Sequence, residues 1–312
     1  NIGIMGFGHI GRYIYENALS SESFNVKAIS DIGNIDSLAY LLNNDPRNKN
    51  IGVDVKNDSF TFKENQTKFI NAQNPGDVSW GDLGVDWVID ATGKFLNKEI
   101  LSKHLDSGAK KVILASLPDD SLDNMIIPGI NDSDINVEDK IISAGSSTTN
   151  ALALMLKLLN DFTEIECASA TTIHSYTTDQ PLLDMARPDL KRSRSAAKNI
   201  IPNINHSSEW VQKVLPHFRE KIFSTALNVP VQFGSLLDVT TVFKKDIDSE
   251  DAINSMMDSA ASDFPGLIKV ISDPIVSSDV IGMKESIVFD RVGTLKVGTN
   301  MVKTLSWYDN GY

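Results

Sequence analysis

Cysteine is almost absent: Cys167 is the only one in 312 residues. A lone thiol cannot close an internal disulfide, so nothing marks an oxidising compartment and a cytoplasmic location is expected. Basic residues are also scarce, 29 Lys and Arg against 41 Asp and Glu, for a formal net charge of -12. Such a chain is repelled at long range by phosphate backbones and anionic lipid, so neither nucleic acid nor membrane is an expected partner, although a local basic pocket is still allowed. No apolar run reaches the roughly 18 residues of a membrane-spanning helix. The opening "NIGIMGFG" lacks a charged and apolar leader pattern, so no targeting peptide is expected, and the missing initiator Met points to a trimmed start. No metal site is expected. The N-x-[ST] matches at Asn57, Asn65, Asn131 and Asn205 are read as chance in an Asn-rich chain.

What is present is an ordinary folding composition, 41% hydrophobic and 22% charged, in a chain long enough for two domains. "NIGIMGFG", "NVKAIS", "VDWVIDAT", "KKVILAS" and "KIISAG" read as buried strands, being apolar, β-branched and closed by Gly, Ser or Asp. "IGRYIYENAL", "DSLAYLL" and "NKEILSKHLDSG" between them carry helical spacing. This alternation predicts an α/β fold with a Rossmann-type doubly wound parallel sheet. "IGVDVKNDSFTFKENQTKFINA" alternates with period two, as an antiparallel hairpin would.

After Ser147 the texture changes to one long helix, "TTNALALMLKLLNDF", then long strands in "IECASATTIHSYT", "TALNVPVQFGSLLDVTTVFKK" and "NMVKTLSWYD", with a helix around "SEDAINSMMDSAASDF". That predicts an α+β catalytic domain on an antiparallel sheet over 148–309, and a cofactor domain over 1–147 rejoined by the tip 310–312. The stretch from Asp179 to Asn203 is strand-poor, basic and polar, the kind of ordered loop that serves a site or a subunit contact.

Gly6, Gly8 and Gly11 form G-x-G-x-x-G after a predicted strand and before a predicted helix. The second strand ends at Asp31, twenty positions beyond Gly11. The glycines let backbone approach a pyrophosphate, the helix start offers unpaired N–H groups, and a carboxylate accepts from ribose hydroxyls while repelling a 2′-phosphate. NAD is the expected cofactor. His9 and Ile10 lie within the glycine loop, and Thr92, Gly93 and Ser116, at the ends of later strands, complete the expected cofactor-binding set from the first half.

The second half carries the remaining chemistry. "SAGSSTTN" puts Ser147 at a strand-to-helix junction, "TTIHSYTTDQ" offers His174 in a β-rich run, and "LKRSRSAA" supplies Lys191, Arg192 and Arg194. Together they make a nucleophile, a base and an anion clamp. Plainer readings stand beside these. Ser147, Thr148 and Thr149 would cap the long helix, His174 would be a packed strand residue, and the cations a solvated face or a subunit contact. Cys167, inside an apolar strand, is expected to be buried. Trp80, Trp87, Trp210 and Trp307 are expected in the core or at interfaces.

These stretches, taken together, resemble phosphorylating glyceraldehyde-3-phosphate dehydrogenase and its sister, erythrose-4-phosphate dehydrogenase, from Ile2 to Asn310. "GFGHIGR" resembles the family's glycine loop, "VSWGDLGVDWVIDATGKF" and "SGAKKVILAS" its fourth and fifth strands, and "SAGSSTTN" its S-N-A-S-C-T-T-N. "TTIHSYTTDQ" resembles its histidine strand, "PDLKRSRSAAKNIIP" its substrate loop and "MVKTLSWYDN" its last strand; "PDL" and "R-S-A-A" lean toward the erythrose-phosphate branch.

The resemblance implies a homotetrameric, NAD-dependent aldehyde dehydrogenase of carbohydrate metabolism acting on a phosphorylated aldehyde. In that family a thiolate attacks the aldehyde while a histidine takes the proton; hydride then passes to the nicotinamide and phosphate splits the thioester. Carried over, His174 is the base and Ser147 occupies the nucleophile's place. Thr177 and Asp179 belong to the site for the substrate's phosphate, Ser146, Thr148 and Arg192 to that for inorganic phosphate, and Asn310 orients the nicotinamide.

Departures accompany the matches. Ser147 replaces the cysteine, Ala144 the asparagine before A-S-C, Asn205 and His206 a Thr-Gly pair of the inorganic-phosphate site, and Asn228 an arginine before V-P. His9 replaces an arginine beside the pyrophosphate, and the family continues past "WYDNGY" into a terminal helix. A serine hydroxyl ionises far less readily than a thiol with its pKa of roughly 8.5. The expectation is an NAD-binding family member whose phosphorylating oxidation is weak or lost. Two alternatives stay open: a working (phospho)aldehyde dehydrogenase in which Ser147 is native or introduced, and a regulatory or structural NAD-binding paralogue.

Overall fold

The computed structural model describes residues 1–47 and 51–312, and these fall into two compact units. The first comprises Asn1–Ile126, Ser133–Ser146 and Gly311, the second Ile127–Asp132, Ser147–Asn310 and Tyr312.

The first unit alternates strands and helices: β1 (Ile2–Met5), α1 (His9–Leu19), β2 (Val26–Asp31), α2 (Ile35–Asn43), then β3 (Asp54–Lys56), β4 (Ser59–Phe62) and β5 (Asn65–Asn71). It continues with β6 (Trp87–Asp90), α3 (Lys98–Asp106), β7 (Lys111–Leu114), β8 (Asn124–Met125) and β9 (Ile141–Ser143). The sheet order is β3-β4-β5-β2-β1-β6-β7-β9-β8. β1 pairs in parallel with both β2 and β6, so the chain winds away from β1 first to one side and then to the other. That reversal opens a crevice at the strands' carboxyl ends, where open α/β sheets bind ligands. The period-two insert forms the expected antiparallel run β3-β4-β5, and β5 joins β2 in parallel. Ile4, Phe7, Tyr15, Ile29, Leu42 and Phe60 fill one side of the sheet. The glycine loop is thereby anchored in core through Phe7.

The second unit begins with α4 (Ser147–Phe162), whose buried residues include Ala151 to Leu156, Leu158 and Leu159. Being apolar nearly all round, it is a central helix. Then come β10 (Ile165–Ser175), β11 (Ile201–Ile204), α5 (Ser207–Val214), β12 (Ile222–Val229), β13 (Ser235–Phe243), α6 (Glu250–Asp263), β14 (Ile268–Ile271), β15 (Ile287–Val297) and β16 (Met301–Tyr308). The sheet order is β11-β12-β10-β13-β16-β15-β14. It is mostly antiparallel, with parallel pairs at β10/β12 and β14/β15.

Two expectations change here. "TALNVPVQFGSLLDVTTVFKK" is two strands, broken between Val229 and Ser235. Pro230 has no N–H for a ladder, and Gly234 takes φ +77° where a Cβ would lie 2.0 Å from the Ser277 carbonyl oxygen. Cys167 is exposed, not buried. The β10/β13 register slips between Ile165 and Cys167, turning Glu166 and Cys167 both outward before the alternation resumes at Ala168. Of the tryptophans, Trp80 is fully buried, while Trp87, Trp210 and Trp307 are partly exposed.

Candidate functional site

The cofactor half lies in the first unit. Each of the three glycines answers a different constraint. Gly6 has φ +89°, and a Cβ there would stand 2.7 Å from the Thr92 nitrogen; a Cβ on Gly11 would stand 2.0 Å from the Gly6 carbonyl oxygen. Both are required by backbone packing. At Gly8 a Cβ would meet no protein atom within 4 Å. No protein packing forbids a side chain there, so the open space suits a ligand that approaches the backbone.

Gly8 also precedes α1 without a side-chain cap, and a helix N-terminus favours an anion. Asp31, at the end of β2, accepts from Phe7 N at 2.6 Å and from Gly33 N at 2.7 Å. Its carboxylate is fixed beside the loop with lone pairs to spare for ribose hydroxyls. At the end of β6, Thr92 donates its N–H and its hydroxyl to Asp90 Oδ1 at 3.0 and 2.6 Å. Gly93 follows with φ +65° and open space at its Cβ position. The carbonyl of Ser116 accepts from Ser143 Oγ at 2.7 Å, tying the loops after β7 and β9. His9 and Ile10 open α1, with the His9 ring 4.3 Å from Tyr13's. Ser146 closes the last segment of this unit. These groups fit a dinucleotide: backbone donors for phosphate, a carboxylate for ribose, and room at Gly8.

The chemical half lies in the second unit. α4 starts at Ser147, which is half-buried. The next two hydroxyls engage tertiary partners: Thr148 Oγ1 meets the Tyr308 hydroxyl at 2.8 Å, and Thr149 Oγ1 donates to Ser207 Oγ at 3.1 Å. Tyr308 is fully buried, and burial pushes its phenol up to about 12 despite the bond to Thr148. Its ring stands edge-on to His174 at 6.3 Å. Tyr308 therefore links the start of α4 to the histidine of β10. His174 itself holds the Ser175 carbonyl through Nδ1 at 2.6 Å. Burial moves its pKa below the ordinary 6.5; the Ser175 carbonyl and Asp179 oppose that shift and Arg192 reinforces it. The imidazole is thus neutral and proton-accepting at physiological pH.

Asn228 lies directly beside His174 in the parallel β10/β12 register. It is 5% exposed, its Nδ2 reaches the Ser175 carbonyl at 3.5 Å, and its Oδ1 has no hydrogen-bond partner. Asp179 accepts from the Thr177 hydroxyl and is ion-paired with Arg192. Partial burial works to raise the Asp179 pKa, but these two partners outweigh it and hold the carboxyl below its usual range. Thr177, Asp179 and Arg192 thus form one cluster, in which Arg192's charge is already partnered. Asn205 and His206 do not join it. Asn205 Oδ1 accepts from Ser207 N at 2.9 Å at the start of α5, and His206 faces Glu209 at 3.2 Å on the surface. Asn310 Oδ1 accepts from Ser175 Oγ at 2.8 Å. Sequence reading passed over Tyr308 and Ser175; the only available signals were a tyrosine in "SWYDN" and a serine immediately after His174.

The parallel sheet with its glycine cradle and Asp31, and the second, mostly antiparallel unit, define a two-domain α/β protein of the NAD-binding dehydrogenase class. A family model described as the NAD binding domain of glyceraldehyde 3-phosphate dehydrogenase matches residues 1–98, and one described as that enzyme's C-terminal domain matches residues 146–310. The chain is 38% identical over 312 residues to a glyceraldehyde-3-phosphate dehydrogenase of Priestia megaterium, covering 99% of this chain and 93% of that protein. It is 36% identical over the same span and coverage to glyceraldehyde-3-phosphate dehydrogenase 1 of Bacillus subtilis. A Mycobacterium avium glyceraldehyde-3-phosphate dehydrogenase is 38% identical over 318 residues, again covering 99% of this chain and 93% of the relative. The chain belongs to the glyceraldehyde-3-phosphate dehydrogenase family.

Proposed function

We propose that this protein binds NAD in the glycine cradle, with Asp31 on the adenosine ribose and Asn310 orienting the nicotinamide, and that its phosphorylating oxidation of aldehydes is weak or lost. The observation that carries the reading is Asn228: an uncharged amide lies beside His174 where the family resemblance implies an arginine. Losing one charge-assisted contact to a phosphate costs about 1.5 to 3 kcal/mol. Ser147 adds to this deficit. A serine hydroxyl at a helix start gains far less from the dipole and from His174 than a thiol would, and an ester is a poorer acyl donor to phosphate than a thioester. Ser146, Thr148 and Arg192 on the inorganic-phosphate side, and Thr177 and Asp179 on the substrate side, are the residual anion-site groups. Asn205 and His206 supply neither the Thr nor the Gly of the family pattern. A homotetramer in the cytoplasm fits this family and the exposed Leu182, Leu183, Met185, Leu190, Ile204 and Phe223.

The test is NADH formation from NAD, inorganic phosphate and glyceraldehyde 3-phosphate or erythrose 4-phosphate. We expect turnover far below the common enzyme range of about 1 to 10³ per second; rates inside that range refute the reading. Calorimetry should register NAD binding, and none at millimolar cofactor would refute the cofactor assignment. One observation favours a second reading, a working dehydrogenase on a non-phosphorylated or erythrose-type aldehyde: His174 is held neutral and ready to accept a proton. NADH release with such aldehydes, unaffected by inorganic phosphate, would decide for it. Tight NAD binding without turnover of any aldehyde would favour a regulatory or structural role.

A further inference from the structure

Three polar side chains in the first unit are wholly buried and are used by none of the chemistry above: the indole of Trp80, the imidazole of His104 and the carboxylate of Asp90, each 0% exposed. They are joined in series. Trp80 Nε1 donates to His104 Nδ1 at 2.9 Å, and His104 Nε2 faces Asp90 Oδ2 at 3.2 Å. The other carboxylate oxygen, Oδ1, accepts both the N–H and the hydroxyl of Thr92.

Donor chemistry fixes the protons of Trp80 and His104. An indole N–H can only donate, so His104 Nδ1 carries a lone pair and the single imidazole proton sits on Nε2. That proton is then donated to Asp90. Asp90 is then placed to accept from three donors: His104 Nε2–H, Thr92 N–H and Thr92 O–H. Neither Trp80 nor His104 can be reversed without setting two donors or two acceptors against each other among fully buried groups, where an unmet polar atom is most costly.

The far end of the series is a wall of the glycine cradle. A Cβ on Gly6 would fall 2.7 Å from Thr92 N and 2.8 Å from the carbonyl carbon of Ala91, so the backbone at 91–92 lies against the glycine loop. Gly93, next along, has nothing within 4 Å of its Cβ position.

We infer that His104 and Asp90 are positioning residues for the cofactor: through Thr92 they hold the wall of the cradle facing Gly6, and Trp80 sets their protonation pattern from the core. This rests on the reading that Thr92 and Gly93 border bound NAD. Neither residue touches the cofactor. Their effect falls on the pyrophosphate and the parts beyond it, while the adenosine end depends on Asp31 and β2.

Two variants, the nearly isosteric Asp90→Asn and the smaller Trp80→Phe, test the relay by calorimetry with NAD and with AMP, alongside thermal unfolding. Asp90→Asn presents an amide NH2 either to His104 Nε2–H or to the Thr92 donors, so one donor pair must clash. NAD affinity should fall about tenfold and AMP affinity should stay within about twofold, the loss expected of one hydrogen-bonded contact. Trp80→Phe removes the indole donor together with part of a buried ring, at the end remote from the cradle, so unfolding temperature should fall; in the folded protein NAD should weaken about threefold with AMP again little changed. A merely structural role would lower the unfolding temperature and leave NAD binding by the folded protein intact. Either variant, folded and binding NAD within about twofold of the unmodified protein, overturns the inference, as does an equal loss for NAD and AMP. If Asp90→Asn does not fold, Trp80→Phe decides alone. An unmodified protein that binds no NAD refutes the cofactor reading and the relay together, whereas normal binding with insensitive variants refutes the relay only.

Discussion

Replacing Ser147 by Cys restores the thiol implied by the family resemblance but will not by itself restore phosphate-dependent aldehyde oxidation. The new thiol would stand at the first position of α4, where the N-terminal partial charge favours a thiolate. One residue along, Thr148 is tied to Tyr308, whose ring abuts His174. The thiol should therefore be reactive. Its partner is less helpful as a cation than as a base, because burial lowers the His174 pKa and disfavours an imidazolium that would pair with a thiolate. The charges around it are unchanged: Asn228 carries none beside His174, and Arg192 is occupied by Asp179. A missing charge-assisted phosphate contact of about 1.5 to 3 kcal/mol corresponds to roughly 10- to 150-fold in kcat/KM. The assay is NADH release with glyceraldehyde 3-phosphate, together with iodoacetamide alkylation, in a Cys167→Ser background because Cys167 is exposed and would react too. Ser147→Cys should alkylate readily yet oxidise slowly, and adding Asn228→Arg should raise kcat/KM by about 10-fold or more. Turnover of about 1 to 10³ per second from Ser147→Cys alone would refute the argument from Asn228 and mark Ser147 as an isolated exchange in an otherwise complete site.

Two further perturbations separate folding from binding. At Gly8 a Cβ meets no protein atom within 4 Å, and serine is a favoured residue before a helix, so Gly8→Ser should keep or slightly raise thermal stability while weakening NAD about tenfold or more. Unchanged NAD affinity in calorimetry would show that no ligand approaches that backbone. For His174 the sign follows from its lowered pKa: the folded state prefers the neutral ring, so its stabilising contribution is complete above the unfolded value of 6.5 and is lost as pH falls through the depressed folded value. Unfolding temperature should therefore drop more steeply on acidification below 6.5 in the unmodified protein than in His174→Gln; parallel acid slopes would contradict the burial argument.

The alternation of β1, α1, β2 and the later parallel strands was readable because each is a short apolar run closed by Gly, Ser or Asp. The period-two insert was readable for the same local reason. α5 and the strands β11, β14 and β15 were not picked out. β11 carries Pro202 and Asn203, which interrupt an apolar run, and β15 carries a register shift between Asp290 and Leu295 that breaks its alternation. Cys167 was misplaced because a bulge does not appear in a hydrophobicity pattern. The adjacency of Asn228 and His174 depends on the parallel register of two strands distant in sequence. The Trp80, His104 and Asp90 series lies on three separate segments, and each residue alone looks like ordinary core or a helix-end histidine.

The residues that depart from the family pattern have structural work to do in this fold. Asn205 accepts the first amide of α5, where an unpaired N–H would otherwise need another partner. Asn228 seats its amide against the Ser175 carbonyl within the sheet, where the cation of an arginine would have to be desolvated beside His174 unless an anion compensated it. The charge Arg192 could offer is balanced by Asp179. The second unit therefore folds without requiring a bound anion at these positions. The first unit is different. Gly6 and Gly11 are held by close backbone contacts, but Gly8 is not, and neither packing nor capping demands glycine there. A glycine at this position is the feature that folding alone does not account for, and a ligand drawn close to the cradle backbone would account for it.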